Sequence, residues 1–268
     1  MMNILSRPIG VFDSGVGGIS VLRELVALMP NENYIFYGDS KHAPYGTKTR
    51  GEVERLTCAD AEYLVSQGAK ALVVACNTAT SAAIQVLRQK YPNIPVIGIE
   101  PALKPAVRCR VHPRVIVMAT PMTLREEKFH NLMIQFQEDA EIIPLPCPGL
   151  VEFVEQGNLG SEELRQFLLE LFSPYKEIPV DCVVLGCTHY PFVRGMIQSV
   201  LGKHVKIFDG GAGTARETKR RLQECGLQNP SQKSGKVQIQ NSLESLEILD
   251  LSKYLLEHKN VISFEEDK

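Results

Sequence analysis

Two cysteines in similar sequence contexts are the strongest candidates for chemistry. Cys76 lies in VVACNTAT and Cys187 in VVLGCTHYP, and in each segment a buried-strand pattern leads into the cysteine. A cysteine at the start of a following helix lies near unpaired backbone N–H groups, which stabilise a thiolate. Taken alone, either residue is better explained as a structural cysteine at the end of a strand. The matched pair instead favours two groups that act together.

Histidine chemistry is available beside the second cysteine. His189 follows Cys187 by two residues and could polarise its thiol or shuttle its proton. Zinc is the competing interpretation, because Cys182, Cys187 and His189 can be drawn as three ligands. Cys182 lies inside the predicted strand, however, and no C-x-x-C or H-x-x-x-H partner completes a tetrahedral set. We therefore predict no metal site.

A loop after the first predicted strand, FDSGVGG, supplies a carboxylate. Asp13 would lie at the carboxyl end of that strand beside Cys76, where it could raise the basicity of the thiol or hold a substrate ammonium. Capping of the helix that begins near Gly17 explains Asp13 equally well. The glycine spacing is G-x-G-G rather than G-x-G-x-x-G, so a nucleotide site is not predicted.

Further polar side chains follow these segments. Asn77 and Thr78 add hydrogen-bond donors next to Cys76. The segment GDSKHAPYGTKTR is polar and interrupted by Pro and Gly, and it is long enough to reach over a cleft, so Tyr45 and Gly46 are candidate ligand contacts. Its basic residues are too few for a nucleic-acid site and are interpreted as a solvated rim; they are Lys41, Lys48 and Arg50.

Short apolar runs that alternate with longer amphipathic stretches predict an α/β fold with mainly parallel sheets. The stretch Gly18–Met29 has an apolar face and is a predicted helix. The predicted strands are Pro8–Phe12, Asn33–Tyr37, Ala71–Ala75, Ile94–Ile99, Arg114–Met118, Glu141–Pro144, Asp181–Leu185 and Val205–Phe208.

The chain repeats itself in outline. Leu72–Thr78 corresponds to Val183–His189, and Gly10–Ser14 corresponds to Ile116–Thr120 at a similar offset. Two similar α/β domains are therefore expected, with ligand bound in the cleft beyond the carboxyl ends of their strands.

We place the first domain at residues 1–98 plus 211–268 and the second at residues 99–210. In the tail of the first domain we expect helices over Thr214–Cys225 and Leu243–Leu256 and a strand over Val261–Phe264.

Bulk composition excludes several classes of protein. Hydrophobic residues make up 44% and charged residues 22% of 268 residues, which is typical of an ordered globular chain. The formal charge of −2 predicts neither nucleic-acid nor membrane binding, so a small molecule is the expected partner. Seven scattered cysteines argue against a fully paired disulfide scaffold. With no secretory signal pattern and no membrane-spanning run, we expect a soluble, cytoplasmic protein.

Four segments, GVFDSGVGG, YGDSKHAPYG, ACNTAT and GCTHYP, resemble the signature segments of glutamate racemases, in the same order and over nearly the whole chain. The resemblance implies two α/β domains with the active site between them, no pyridoxal phosphate or other cofactor, and no metal. It implies interconversion of L- and D-glutamate, which supplies D-glutamate for peptidoglycan synthesis and so serves cell wall biogenesis and cell shape. It also implies a homodimer.

Matched by motif, the two acid/base cysteines of the family fall on Cys76 and Cys187, with Asp13 and His189 as their helpers. By resemblance, Cys76 deprotonates D-glutamate and Cys187 deprotonates L-glutamate. Such a reaction requires an acid/base group on each face of Cα. The implied substrate contacts are Asp13, Ser14, Tyr45, Gly46, Asn77, Thr78, Thr120, Thr123, Glu155, Thr188 and His189.

One segment departs from the family pattern. ATPMTLREEKF stands where the family has G-T-x-G-T-I-x-S-x-x-Y, so both threonines are kept but Glu126 and Phe129 replace the serine and the tyrosine. Three other functions stay open at this point. They are an aspartate or hydantoin-type racemase with the same cysteine pair, a cysteine hydrolase or amidase with one nucleophile, and a non-catalytic ligand-binding protein.

Overall fold

The computed structural model describes residues 3–258, and it contains two β-sheets with helices packed around them. All strand pairs are parallel, which confirms the predicted α/β fold. The strands are β1 (Ile9–Asp13), β2 (Tyr34–Gly38), β3 (Ala71–Val74), β4 (Val96–Gly98), β5 (Arg114–Ala119), β6 (Glu141–Pro146), β7 (Cys182–Leu185), β8 (Lys206–Asp209) and β9 (Val237–Asn241). The helices are α1 (Ile19–Leu28), α2 (Arg50–Ser66), α3 (Asn77–Lys90), α4 (Leu103–Val107), α5 (Pro121–Arg125), α6 (Glu127–Gln135), α7 (Leu150–Glu155), α8 (Glu162–Leu171), α9 (Arg194–Leu201), α10 (Gly211–Glu224) and α11 (Leu246–Glu257).

Sheet topology reproduces the repeat that the sequence indicates. The first sheet has the order β4-β3-β1-β2-β9 and the second has the order β6-β5-β7-β8. In each sheet the first strand of the unit, β1 or β5, lies between the second and the third, so β3 and β7 hold equivalent places. The carboxyl ends of β3 and β7 therefore carry Cys76 and Cys187 in matching positions, each two residues past the last strand residue.

Every strand predicted within the described residues is present, with ends shifted by one or two residues. The sequence analysis missed β9, which pairs with β2 at the edge of the first sheet. Its sequence, VQIQN, is short and only partly buried, so it lacks the continuous apolar run of a central strand. The expected strand over Val261–Phe264 lies outside the described residues.

The tail packs on the first unit. Helices α10 and α11 correspond to the predicted helices over Thr214–Cys225 and Leu243–Leu256, and both contact α1. Leu22 and Leu25 on the inner face of α1 are fully buried, and burial of such a side chain stabilises a fold by about 1.5–3 kcal/mol. The first sheet thus includes residues from both ends of the chain, whereas the domain limits at residues 98 and 210 stay a prediction.

The candidate catalytic cysteines are not paired with another cysteine. The sulfur atoms of Cys109 and Cys182 lie next to each other, between the turn after α4 and the start of β7. Cys76, Cys147 and Cys187 are free and buried. Within residues 3–258, no helix is both long and apolar enough to cross a membrane.

Candidate active site

Cys76 lies between β3 and α3 and caps the helix. Its Sγ accepts a hydrogen bond from the Ala79 backbone N–H (3.4 Å), and its thiol donates to Ser14 Oγ (3.7 Å). The residue is 5% exposed. Burial, followed by the negative charge of Asp13, raises the pKa of Cys76 to about 12 and outweighs the Ala79 hydrogen bond. The helix start does not make Cys76 a thiolate, because its desolvation is the larger effect.

Cys187 has the opposite surroundings. Its Sγ lies 3.6 Å from His189 Nδ1, and His189 Nε2 lies 2.6 Å from Glu155 Oε1. Burial lowers the pKa of His189, but the hydrogen bonds to Cys187 and Glu155 outweigh it, so the pKa is raised well above the ordinary value. His189 is therefore an imidazolium held between a sulfur and a carboxylate. The charged neighbour of the Cys187 sulfur is thus a cation, whereas that of Cys76 is a carboxyl group.

Glu155, at the end of α7, connects His189 to two loops that follow strands of the first sheet. Its Oε1 accepts from the Val16 N–H (2.7 Å), and its Oε2 accepts from Ser40 Oγ (2.9 Å). Burial raises the pKa of Glu155, but the hydrogen bond and the charge of His189, followed by the Val16 and Ser40 hydrogen bonds, hold it below the ordinary value. Glu155 is thus ionised and fixes the orientation of the His189 ring.

The Asp13 side chain, at the end of β1, contacts Thr188, the residue that follows Cys187. Thr188 Oγ1 donates to Asp13 Oδ2 (2.9 Å), and the Gly15 N–H donates to Asp13 Oδ1 (3.0 Å). No side chain caps α1, so the alternative of Asp13 as the cap of that helix is wrong. Burial raises the pKa of Asp13, although the positive charge of His189 opposes the shift.

The loop from β1 passes close to the second half of the molecule. A Cβ at Gly17 would collide with the imidazole ring of His189, so only glycine allows this approach. The four predicted catalytic residues lie in one buried cluster at the carboxyl ends of β1, β3 and β7, joined by hydrogen bonds to three predicted substrate contacts. The catalytic residues are Asp13, Cys76, Cys187 and His189, and the contacts are Ser14, Thr188 and the partly buried Glu155.

A second cluster, called the threonine group below, consists of the hydroxyls of Thr78, Thr120 and Thr123. Thr120 Oγ1 lies 3.1 Å from Thr78 Oγ1 and 2.9 Å from Thr123 Oγ1, and Thr78 Oγ1 lies 3.2 Å from Thr123 Oγ1. Gly46 packs on this group, since a Cβ there would lie 2.6 Å from Thr120 Cβ. The structure therefore brings the Tyr45–Thr47 turn, from the first unit, against Thr120 and Thr123 of the second.

Asn77 retains an open hydrogen-bonding position. It is 5% exposed, and its Oδ1 has no partner among the described residues. A buried amide oxygen without a partner is costly, and a bound ligand would relieve that cost. Asn77 and Thr123 also line a cavity of about 270 Å³.

The departure from the family pattern has two structural consequences. Glu126 Oε2 accepts from Arg50 Nη1 (3.0 Å), which joins the start of α2 to the connection between α5 and α6. Phe129 is buried and lines the same cavity as Asn77. Arg50 is thus more than part of a solvated rim, whereas Lys48 forms a local ion pair with Glu52.

Sequence reasoning missed Ser40, although it lies in the quoted segment YGDSKHAPYG and binds Glu155 directly. It also missed Asp39 and Asp60, whose carboxyl groups contact the Tyr45 hydroxyl. The position of Asp39 in the same segment was the only available signal. Across residues 3–258, no group of three or more His, Cys, Asp or Glu side chains is arranged to hold a metal ion.

Comparisons with known proteins agree with this geometry. A model of the Asp/Glu/Hydantoin racemase family matches residues 9–218. The chain is 56% identical over 257 residues to a glutamate racemase of Clostridium perfringens (strain SM101 / Type A), which covers 96% of this chain and 99% of that protein.

Two solved structures share the fold. Glutamate racemase from Francisella tularensis in complex with D-glutamate has a TM-score of 0.82 at 28% identity, over 95% of each chain. The Escherichia coli glutamate racemase in complex with L-glutamate and the activator UDP-MurNAc-Ala has a TM-score of 0.81 at 31% identity, over 95% of this chain and 96% of that one. The chain therefore belongs to the Asp/Glu/Hydantoin racemase family and is an amino-acid racemase.

Proposed function

We propose that this protein is a glutamate racemase that exchanges the α-proton of glutamate with two cysteines and no cofactor. Cys187 removes the proton from L-glutamate while Cys76 donates one to the opposite face, and the roles reverse for D-glutamate. His189 assists Cys187 and Asp13 assists Cys76. The observation that carries the proposal is the equivalent placement of the two cysteines after β3 and β7, each with its own charged helper.

Chemical requirements of racemisation support the same assignment. One group must begin as a base and the other as an acid, because one proton leaves Cα as another arrives. The imidazolium of His189 lies beside Cys187, the proposed first base, and burial keeps Cys76 a thiol, the proposed first acid. The carbanion that forms between them would be stabilised by polar groups already fixed in place, such as the Asn77 and threonine side chains.

Glutamate is the proposed substrate because the related proteins are named for it. The Clostridium perfringens relative is a glutamate racemase, and the Francisella tularensis and Escherichia coli structures contain D- and L-glutamate. Their nearly full coverage of this chain supports transfer of the substrate. Asn77, the three threonines and the Tyr45–Gly46 turn are the proposed substrate contacts, together with Ser14, Glu155 and Thr188.

The biological setting is part of the same proposal. D-Glutamate made by this enzyme would supply peptidoglycan synthesis, and so cell wall biogenesis and cell shape. The enzyme is proposed to work in the cytoplasm as a homodimer of two-domain subunits, with the domain limits given by the sequence analysis.

Racemisation in D₂O tests the two-base mechanism. We expect solvent deuterium at Cα of the product enantiomer, and a fall of about 10²–10⁴-fold in racemisation for Cys76→Ala and for Cys187→Ala. Both variants should still bind D-glutamate. Cys225→Ala, at an exposed free cysteine, is the matched control and should keep full activity. Full activity in either single variant would disprove the mechanism.

Chiral chromatography separates the alternatives. Turnover of aspartate or of a hydantoin in preference to glutamate would show that the proposed substrate is wrong, while the two-cysteine mechanism would stand. An acyl-enzyme trapped on one cysteine, without exchange at Cα, would instead indicate a hydrolase.

A further inference from the structure

Two buried carboxyl groups share the hydroxyl of Tyr45, and the next residue, Gly46, packs against Thr120. Tyr45 Oη lies 2.7 Å from Asp39 Oδ2 and 3.0 Å from Asp60 Oδ2. The exposed fractions of the three residues are only 1–6%. A phenol carries one proton and can donate to only one of these oxygens. If both carboxyl groups were ionised, one contact would place two sets of oxygen lone pairs against each other.

The surroundings of the two carboxyl groups decide which one holds the extra proton. Both oxygens of Asp39 lie within 2.9 Å of His42 Nδ1, so a second donor compensates the negative charge of Asp39. In the described part of the chain, the Asp60 carboxyl has no hydrogen-bond partner other than Tyr45. Burial, followed by the negative charge of Asp39, raises the pKa of Asp60 to about 8.

Several titratable groups face Asp60 or its partners, and none of them supplies a positive charge to Asp60 itself. They come from β1, from β2 and from the loop after β2: Asp13, Tyr37, Asp39, His42 and Tyr45. At neutral pH, the protonated Asp60 carboxyl therefore donates a hydrogen bond to Tyr45 Oη, and the Tyr45 hydroxyl donates a hydrogen bond to Asp39.

This chain of hydrogen bonds ends at the substrate contacts. The short helical turn Tyr45–Thr47 contacts both α3 and α5, and it packs Gly46 against Thr120 with no room for a side chain. Any movement of the Tyr45 ring would displace the Gly46 backbone relative to the three threonine hydroxyls. A second negative charge at Asp60 would also repel a substrate that carries two carboxylates.

We propose that Asp60 is a positioning residue of the active site: as a neutral carboxyl it donates to Tyr45 and so seats the Tyr45–Gly46 turn against the threonine group. Asp60 does not touch the substrate. The inference rests on the proposed glutamate racemase activity. It assigns to α2, which carries no predicted site residue, control over substrate affinity.

Kinetics of two Asp60 variants test the proposal. In Asp60→Asn the amide can donate to Tyr45 at every pH, so KM for glutamate should stay within about two-fold of the native value at pH 7. Asp60→Leu has no donor, and KM should rise about five-fold with a smaller change in kcat. Glu62→Gln, an exposed position on the same helix, should change neither constant.

The pH dependence gives a second, independent measurement. Native KM should rise as the pH passes about 8, where Asp60 ionises, whereas KM of Asp60→Asn should not show this rise. If Asp60→Leu does not fold, the comparison of native enzyme with Asp60→Asn still tests the positioning role of Asp60. Equal KM for Asn and Leu variants, or the same pH profile in native enzyme and Asp60→Asn, would overturn the positioning role.

Unfolding experiments separate this proposal from the proposed function. The pKa of Asp60 is raised in the folded state, so its stabilising contribution is complete below its ordinary value of 3.8 and is lost as the pH rises toward about 8. Native stability relative to Asp60→Asn should decline over that range. A decline without any turnover of glutamate would reject the glutamate racemase proposal and, with it, the kinetic role of Asp60. Turnover without the decline would reject the neutral Asp60 alone.

Discussion

Cys76 and Cys187 each lie two residues past the end of a strand, in matching places of the two sheets, but the charges around them differ. Cys76 has a buried carboxyl group, Asp13, as its charged neighbour, and its pKa is raised to about 12. Cys187 has the imidazolium of His189, which Glu155 holds in place. Equivalent backbone positions thus carry sulfurs in opposite electrostatic settings.

This difference teaches how a symmetric fold prepares an unsymmetric reaction. A racemase needs one acid and one base at the same moment, and two identical sites would share their protons equally. Here burial next to a negative charge keeps Cys76 protonated, while Cys187 lies beside the positive charge of His189. Under the proposed mechanism, Cys187 is the first base and Cys76 the first acid.

Thermodynamics limits where the asymmetry can be observed. The two enantiomers of glutamate have equal free energies in water, so kcat/KM must be equal in both directions for every variant. Loss of the helper of one cysteine therefore lowers kcat/KM equally in both directions. The asymmetry between the two sites is measured instead in kcat and KM separately, or in kinetic isotope effects.

The largest effect is expected at the helpers themselves. His189→Gln removes the positive charge beside Cys187 and should lower kcat/KM by about 10²–10⁴-fold in both directions. The kinetic isotope effect of α-deuterated substrate should increase mainly for L-glutamate, because removal of that proton becomes the slowest step. Asp13→Asn should increase it mainly for D-glutamate. The same increase for both enantiomers in both variants would contradict the pairing of helpers and cysteines.

A smaller effect is expected from the carboxylate behind His189. Glu155→Gln keeps an acceptor for Val16 but removes the negative charge, so the pKa of His189 should fall. The imidazolium is then lost at a lower pH, and the alkaline limb of the kcat/KM profile should move down by about one pH unit.

Ser40→Ala is the control for this change. It deletes a hydrogen bond to Glu155 but leaves the charge, so the alkaline limb should stay in place. If Glu155→Gln leaves the limb unchanged, the protonation of His189 is not set by Glu155, and the contrast between the two cysteine sites rests on Cys76 alone.

Local patterns in the sequence were sufficient for the fold and for the equivalent positions of the two cysteines. Apolar runs predicted β1 and β3, and the repeated context of Cys76 and Cys187 indicated equivalent positions. The edge strand β9 was not recognised because only part of it is buried. Periodicity reports burial, so a strand with little of it gives a weak signal.

Tertiary effects were beyond the reach of that reasoning. The helix start at Cys76 is visible in the sequence, but the burial that raises its pKa depends on packing around the whole site. Glu155 reaches Val16 across 139 residues of sequence, and Asp60 reaches Tyr45 from the middle of α2. Neither contact follows from spacing, because the path of the chain between the partners decides it.

The smallest effect is expected where the two halves are joined at the surface. Arg50 and Glu126 form an ion pair next to the contact between Gly46 and Thr120, and Arg50 is 61% exposed. An exposed pair contributes up to about 1 kcal/mol, so Arg50→Met should raise KM about two- to five-fold. The increase should shrink in high salt, which screens the pair in the native enzyme too. Lys48→Met breaks a similar pair with Glu52 within one half, and it should leave KM unchanged. Equal effects of Arg50→Met and Lys48→Met on KM would mean that the Arg50–Glu126 pair does not contribute to substrate binding. The buried contacts of Glu155 and Asp13 would then be what holds the two cysteine sites opposite each other.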